Sequence, residues 1–406
     1  MTCPMKIPNK KQTYIISALC LVFLIAGLGI GQALTPSVTF TISSGVYPGA
    51  PDYTIYTVEG TTHAKDQNGY IEFSSTNQSY VAQSCLNTGE TAIYLKGAFE
   101  FTNSVLYGNK DAIIIDGSVS AANGLNAPIF QNAGSGNYGC WIEGVGGKGI
   151  IDGNSAGQSG TTARGIVFDQ HGVDAPNIYT DYSLGYPNGL VLINLDIVDC
   201  RDEGLYYNAS YSPNTQAGFY NVGVRMCGLT GGVNSYLQAF TDSKWLGGVI
   251  QGAPSIYGLY MMGGSFSEFG YGLYMNGPHL FEYCTGLTFE PFIMDNGGTY
   301  DTLTLAGCYD NTIAPRRMNY FGSSDNTVSG IVLQQVWGTY DCTGNNIGPI
   351  VFGTVGGNEL KYGVEAVDAN QDNNNCFGLM GVNVGTAVVH AGGSTFFVNA
   401  TMGVVE

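Results

Sequence analysis

A glycine followed by an aliphatic and often an aromatic residue returns along the middle of this chain. It reads Gly204-Leu205-Tyr206, Gly232-Val233, Gly258-Leu259-Tyr260, Gly272-Leu273-Tyr274 and Gly286-Leu287-Thr288-Phe289. The intervals are 28, 26, 14 and 14 residues, so the last two fit two strands inside one coil. A recurrence of this size marks a solenoid, in which each repeat buries its apolar face only by stacking on the next.

Composition agrees with short strands and tight turns. Gly accounts for 60 of 406 residues and Tyr for 27, while charged residues make up 11%. Glycine reaches backbone angles that other residues avoid. With 44% hydrophobic residues the chain can bury a large core, which argues against disorder. The net charge of −17 excludes a basic nucleic-acid-binding face and disfavours anionic membranes.

Lys6, Lys10 and Lys11 precede an uncharged apolar run from about Tyr14 to Leu34. That layout is a cleaved export signal or an uncleaved anchor with its positive end inside. Either places the later residues outside the cytoplasm, with membrane contact only through this segment. Eight cysteines follow it, with no Cys-x-x-Cys pair. Cys200 and Cys227 hold the same place before the recurring glycine, so they stack on neighbouring coils, as buried thiols or as a disulfide. Three sequons, at Asn77, Asn208 and Asn399, are permissive of glycosylation.

The chain divides into a leader at 1–34, a spacer, hairpin and cap at 35–90, a solenoid at 91–385 and terminal strands at 386–406. Tyr53 to Val58 and Tyr70 to Phe73 alternate as strands, with Asn68-Gly69 as the turn between them. Gln78 to Leu86 forms a short helix, capped by Thr76 or Asn77, that covers the open end of the solenoid. Farther on, Asn recurs beside apolar residues at Asn311, Asn326, Asn345-Asn346, Asn358 and Asn373-Asn374-Asn375. An asparagine ladder at coil corners explains this without a ligand, because Asn tolerates left-handed angles and its amide bonds the next copy.

The run Glu143-Gly144-Val145-Gly146-Gly147-Lys148-Gly149-Ile150-Ile151-Asp152-Gly153-Asn154 resembles a segment in early coils of pectin-lyase-fold proteins, polygalacturonases and pectate lyases among them. The resemblance covers roughly residues 90–385. It implies an all-β, right-handed parallel β-helix, here with an N-terminal membrane or signal helix and a short capping helix. It also implies a polysaccharide or cell-surface glycan as partner. The activities of the family do not carry over cleanly. Cys200-Arg201-Asp202-Glu203-Gly204 stands where polygalacturonases have Asn-Thr-Asp-Gly, but the next coil has no Asp pair, His171-Gly172 precedes this segment, and no Arg-Ile-Lys occurs. Arg316-Arg317 lacks the surroundings of a pectate-lyase base.

The densest ionisable cluster is Asp169, His171, Asp199, Arg201, Asp202 and Glu203. On a regular strand, residues two apart share a face, so Asp199, Arg201 and Glu203 would project together. Such a group serves as an acid/base pair, with carboxylates about 6.5–9.5 Å apart for an inverting hydrolase. The alternatives are a calcium–carboxylate site with Arg201 on an acidic sugar, or a solvated edge of ion pairs. Tyr206, Tyr260 and Tyr274, with Trp245, offer an aromatic platform for sugar rings, or simply packing. His63, His279 and His390 show no metal spacing. Two functions remain: an extracellular protein that binds and cleaves an acidic glycan as lyase or hydrolase, and a non-catalytic adhesin or envelope component.

Overall fold

The computed structural model describes residues 50–400 apart from 90–91, 108–110, 118–120, 125–129, 133–140, 154–164, 170–187, 210–215, 230–231, 253–255, 322–326, 337, 339, 355–359, 382–383 and 391–395. The leader or anchor expected at 1–34 lies outside the described residues. Among those described, no helix is long and apolar enough to cross a membrane.

The chain winds as a parallel β-helix with three faces. In one coil, Glu268–Gly270 lies on face I, Tyr274–Asn276 on face II and His279–Glu282 on face III. Each pairs in parallel with its counterpart one coil on: Thr288–Phe289, Ile293–Asn296 and Leu303–Ala306. Faces I and II are continuous where the long strands Asn188–Val198, Gln216–Arg225 and Lys244–Gln251 bend across the corner. Asn194 and Asn221 make that bend with φ of 53° and 54°, and the Asn221 amide donates to Asn194 Oδ1 at 2.9 Å. Asparagine adopts this left-handed angle at lower cost than most residues. Face III is a separate sheet of eleven strands.

Alternation along each short strand sends every second side chain inward. Stacking then lines these side chains up in columns. On face I the column runs Phe219, Trp245, Phe269, Phe289, Ile313, Ile347, Cys376, all fully buried. On face III it runs Tyr207, Leu237, Met261, Phe281, Leu305, Leu333. Edge-on aromatic contacts tie the columns together, as at Phe281 and Phe289, whose ring centres are 4.9 Å apart at 87°. Truncating one such ring to Ala costs about 3–5 kcal/mol in a packed core.

The coil is not a constant 28 residues. Register partners on face III lie 20 residues apart at Tyr260 and Leu280, and 33 apart at Val332 and Glu365. The first three glycine motifs do lead into face III, but Gly272 precedes a face II strand and Gly286 a face I strand. Turns between faces absorb insertions without disturbing strand pairing, so the spacing drifts.

The expected asparagine ladder is present at Asn311, Asn345 and Asn374, all buried. The Asn311 and Asn345 amides each donate to the next Oδ1 at 2.9 Å, the Asn374 amide donates to the Cys342 and Gln371 carbonyls, and every Oδ1 accepts a backbone N–H from the preceding coil. Asn326 and Asn358 lie outside the described residues. The seven described cysteines between Cys85 and Cys376 are buried and unpaired. Cys200 and Cys227 do stack, with the Cys200 N–H 3.4 Å from Cys227 Sγ, as thiols rather than a disulfide.

The helix Gln78–Leu86 is capped by Asn77, whose side chain accepts the Tyr80 N–H at 3.0 Å. Its apolar side packs into the core through Val81, Ala82, Cys85 and Leu86. Its polar side chains bond the backbone of the first coil: Gln83 spans Leu106 N–H and C=O, Ser79 takes Asn103 N–H, and Gln78 takes Glu100 N–H. The helix thus covers apolar columns and supplies acceptors that no preceding coil provides. Before it, three antiparallel strands occur where two were expected: Tyr53–Val58, Thr61–Asp66 and Ile71–Ser75. Asn68-Gly69 turns the chain between the second and third, and Glu59-Gly60, both at positive φ, between the first and second.

Asn345→Ala removes the middle rung of the ladder and leaves buried donors and acceptors unmatched. It should lower the unfolding free energy by about 2–4 kcal/mol, whereas Asn346→Ala, exposed and bonded through its side-chain oxygen to the Asn375 amide, should cost less than about 1 kcal/mol; urea titration of both variants checks this.

Candidate functional site on face III

Outward positions of face III stack as regularly as the inward ones. One row runs Tyr206, Tyr236, Tyr260, Leu280, Thr304, Val332, Glu365. The rings of Tyr206 and Tyr236 stack at 5.0 Å and 16°. They spend their faces on each other and present edges to solvent. The stack breaks at Tyr260, which stands at 82° to Tyr236. Its hydroxyl donates to Glu282 Oε2 at 2.6 Å.

Beyond this break the surface dips into an open depression of about 340 Å³, lined by Gly232, Val233, Tyr257, Tyr260, Pro278, Leu280 and Tyr300. Tyr257 and Tyr300 face each other with ring centres 6.2 Å apart, and Tyr300 is half exposed. Gly232 and Pro278 bring no long side chain to its lining.

Two carboxyl groups adjoin residues of this lining. Glu282 lies on one side through its bond to Tyr260. Asp301 follows Tyr300 and accepts the Ser329 N–H at 2.7 Å. Ser329 in turn donates its hydroxyl to Glu365 Oε2 at 2.6 Å, and Lys361 Nζ sits 2.9 Å from Glu365 Oε1. Burial pushes the Asp301 carboxyl above its ordinary value; the Ser329 N–H works against this, and the Glu365 charge adds to it. Burial likewise raises the Tyr257 hydroxyl, helped by Tyr300, Asp301 and Glu282.

Directly inside this patch, His279 is fully buried. Its Nδ1 accepts the Leu259 N–H at 3.1 Å and its Nε2 has no partner. Gly258 makes room for the ring, since a Cβ there would stand 2.7 Å from His279 Cε1.

The residues singled out from sequence fall in several places. Tyr206 and Tyr260 are on face III as described. Asp169 ends the strand Ile166–Asp169 on the same face, in register with Asn208; its side chain, and all of His171, lie outside the described residues. The shared face expected for Asp199, Arg201 and Glu203 does not form. The strand ends at Val198, and Asp199 turns with φ of 51°. Asp202 and Glu203 are nearly buried on the turn into face III, where the Asp202 carbonyl accepts the Gly228 N–H at 2.7 Å. Tyr274 is on face II, its hydroxyl 2.6 Å from Asp295 Oδ2, so it does not extend the platform. Trp245 is not a surface residue. It sits in the face I column, edge-on to Phe219, with no exposure to a ligand. Among the described residues, no group of three or more His, Cys, Asp and Glu side chains converges as a metal site.

Sequence reasoning missed Tyr300, Glu282, Asp301, Lys361 and Glu365. They come from three coils of unequal length, so no constant period aligns them. The pairs Glu282-Tyr283 and Tyr300-Asp301, acidic beside aromatic in a chain poor in charge, were the available signal.

Comparison with solved structures fits this architecture. The A-module of a mannuronan C-5 epimerase from Azotobacter vinelandii superposes with a TM-score of 0.51 at 11% identity, over 80% of this chain and 96% of the module. Full-length tailspike protein 2 from an Escherichia coli bacteriophage gives 0.53 at 14% identity, over 82% of this chain and 45% of the tailspike. The enzymatically active domain of tailspike protein 2 gives 0.53 at 15%, over 83% of this chain and 51% of that domain. The fold is the right-handed parallel β-helix of the pectate-lyase and polygalacturonase type. The chain thus spans nearly all of the epimerase module and about half of the tailspike. No protein-family model matches the sequence, and no curated protein matches it.

Burial holds the His279 imidazole down at about 3. Its folded value is below its unfolded value of about 6.5, so its contribution to stability is complete above that pH and is lost as pH falls toward 3. Between pH 6 and pH 4 the unfolding free energy should drop by up to about 1.4 kcal/mol per pH unit from this group. Chemical unfolding across that range should show a shallower slope in His279→Gln.

Proposed function

We propose that this chain binds a polysaccharide in the aromatic depression of face III. The observation that carries the reading is the convergence of Tyr257, Tyr260 and Tyr300 around an open hollow, with carboxyl groups adjoining its lining. Apolar ring faces suit the C–H face of a sugar, and hydroxyl and carboxyl groups suit its alcohols. Likeness of fold to a mannuronan epimerase module and to a tailspike with an enzymatically active domain supports a glycan as ligand. The basic and apolar run at 1–34 supports placing this surface outside the cytoplasm.

A second reading adds catalysis to binding, and Asp301 is the observation that favours it. Its burial keeps a proton on the carboxyl to higher pH, which suits a general acid beside a bound sugar. A non-catalytic adhesin would use the same hollow without turnover.

Tyr260→Ala and Tyr300→Ala should each weaken binding about tenfold when retardation is measured by affinity electrophoresis through a panel of soluble polysaccharides. Unchanged mobility of both variants in every gel that retards the parent would refute the site. Asp301→Asn should keep binding and lose turnover by about 10²–10⁴-fold, read as release of reducing ends; equal rates would remove Asp301 from the chemistry.

A further inference from the structure

Resting on the binding reading above, we propose that the polysaccharide held by face III carries no anionic groups. The inference departs from the acidic glycan expected from sequence, and it follows from what face III places around the hollow.

Recognition of a carboxylated or sulfated sugar calls for cations that are free to pair with it, above all the planar fork of arginine. The described strands of face III contain no Arg and one Lys, Lys361. That lysine is already taken, 2.9 Å from Glu365 and stacked over the Tyr362 ring at 4.7 Å. The Glu365 bond also holds its ammonium charged. His279 belongs to the same sheet but points into the core, where burial keeps it neutral. His390 lies on the last face III strand, at the end of the solenoid remote from the hollow.

The anionic side is better supplied. Glu282 accepts from Tyr260 of the hollow, Asp301 follows Tyr300, and Asp301 and Glu365 share Ser329. The site's response to its own charge is informative. The Glu365 charge opposes ionisation of Asp301 even with Lys361 nearby. A uronate carboxylate brought into the same hollow would meet that repulsion, and the one lysine of the described face III strands is already engaged. The other described ion pairs of lysine and arginine are on different faces. Lys148 and Arg225 pair with Asp196 on face II, and Lys244 pairs with Glu268 on face I. Arg316 lies against Phe292, before a face II strand.

Absence of a carboxylate on the sugar also restricts the chemistry. β-Elimination removes a C5 proton made acidic by an adjacent carboxylate, and a sugar without that group has no such proton. Cleavage in this hollow would therefore be hydrolysis. Water adds across the glycosidic bond and the bond from C1 to the leaving oxygen breaks. The Asp301 O–H protonates that oxygen, while a neighbouring carboxylate takes the proton lost by the attacking water.

The experiment measures affinity of the whole chain for non-anionic polymers (dextran, mannan, xylan, glucan) and for polyuronates (alginate, polygalacturonate). It is run at low and high salt, with calcium and with chelator. At least one non-anionic polymer should bind, with both polyuronates at least about tenfold weaker at low salt. Raising the salt should narrow the gap, and Glu282→Gln should raise polyuronate affinity at least about threefold. Polyuronate binding as tight as that of the best neutral polymer, with or without calcium, would overturn the inference while leaving the hollow as a glycan site. Failure of every polymer to bind would overturn the binding reading itself. Any turnover should release reducing ends without the ultraviolet absorbance of an unsaturated product; that absorbance would also overturn the inference.

Discussion

Parallel pairing of each strand with its counterpart one coil on is the constraint from which the rest of this molecule follows. Backbone bonds at strand spacing force like positions into columns, inward and outward alike. Inward, the columns become the aromatic and aliphatic stacks that supply most of the burial. At the corners, the same stacking turns isolated amides into the Asn311, Asn345, Asn374 ladder, where each side chain satisfies the next. A column has ends, and the first coil is closed by helix Gln78–Leu86, whose glutamines and serine stand in for the missing strand.

Outward columns carry the candidate function. Face III gathers tyrosines and carboxyl groups from residues as distant as Tyr206 and Glu365 onto one surface. The hollow forms where the tyrosine stack breaks, because Tyr260 turns its ring and is held by Glu282. Carboxyl groups adjoin its lining and its lysine is engaged, so the electrostatics favour ligands that bring hydroxyls rather than charge. One core can carry many different outward rows, which is why fold alone leaves the ligand open.

The parts legible in the sequence were those set by local chemistry. The corner glycines and asparagines and the Asn77 cap each depend on a few neighbouring residues. The cluster around Asp199 to Glu203 was misjudged for a related reason. Its reading assumed a strand that continues, while Asp199 adopts a left-handed angle and ends it. Trp245 was misassigned because alternation along a strand does not tell which face looks inward.

By itself, the sequence determined that this chain stacks its coils as a parallel solenoid with a helical cap, since recurring glycines, corner asparagines and alternating apolar residues act over short range. Only the tertiary structure decided which side chains meet across coils. Turns of unequal length shift the register from one coil to the next, from 20 residues at Tyr260 and Leu280 to 33 at Val332 and Glu365. Neighbours on face III are fixed by backbone pairing in space, and no single interval along the chain encodes them.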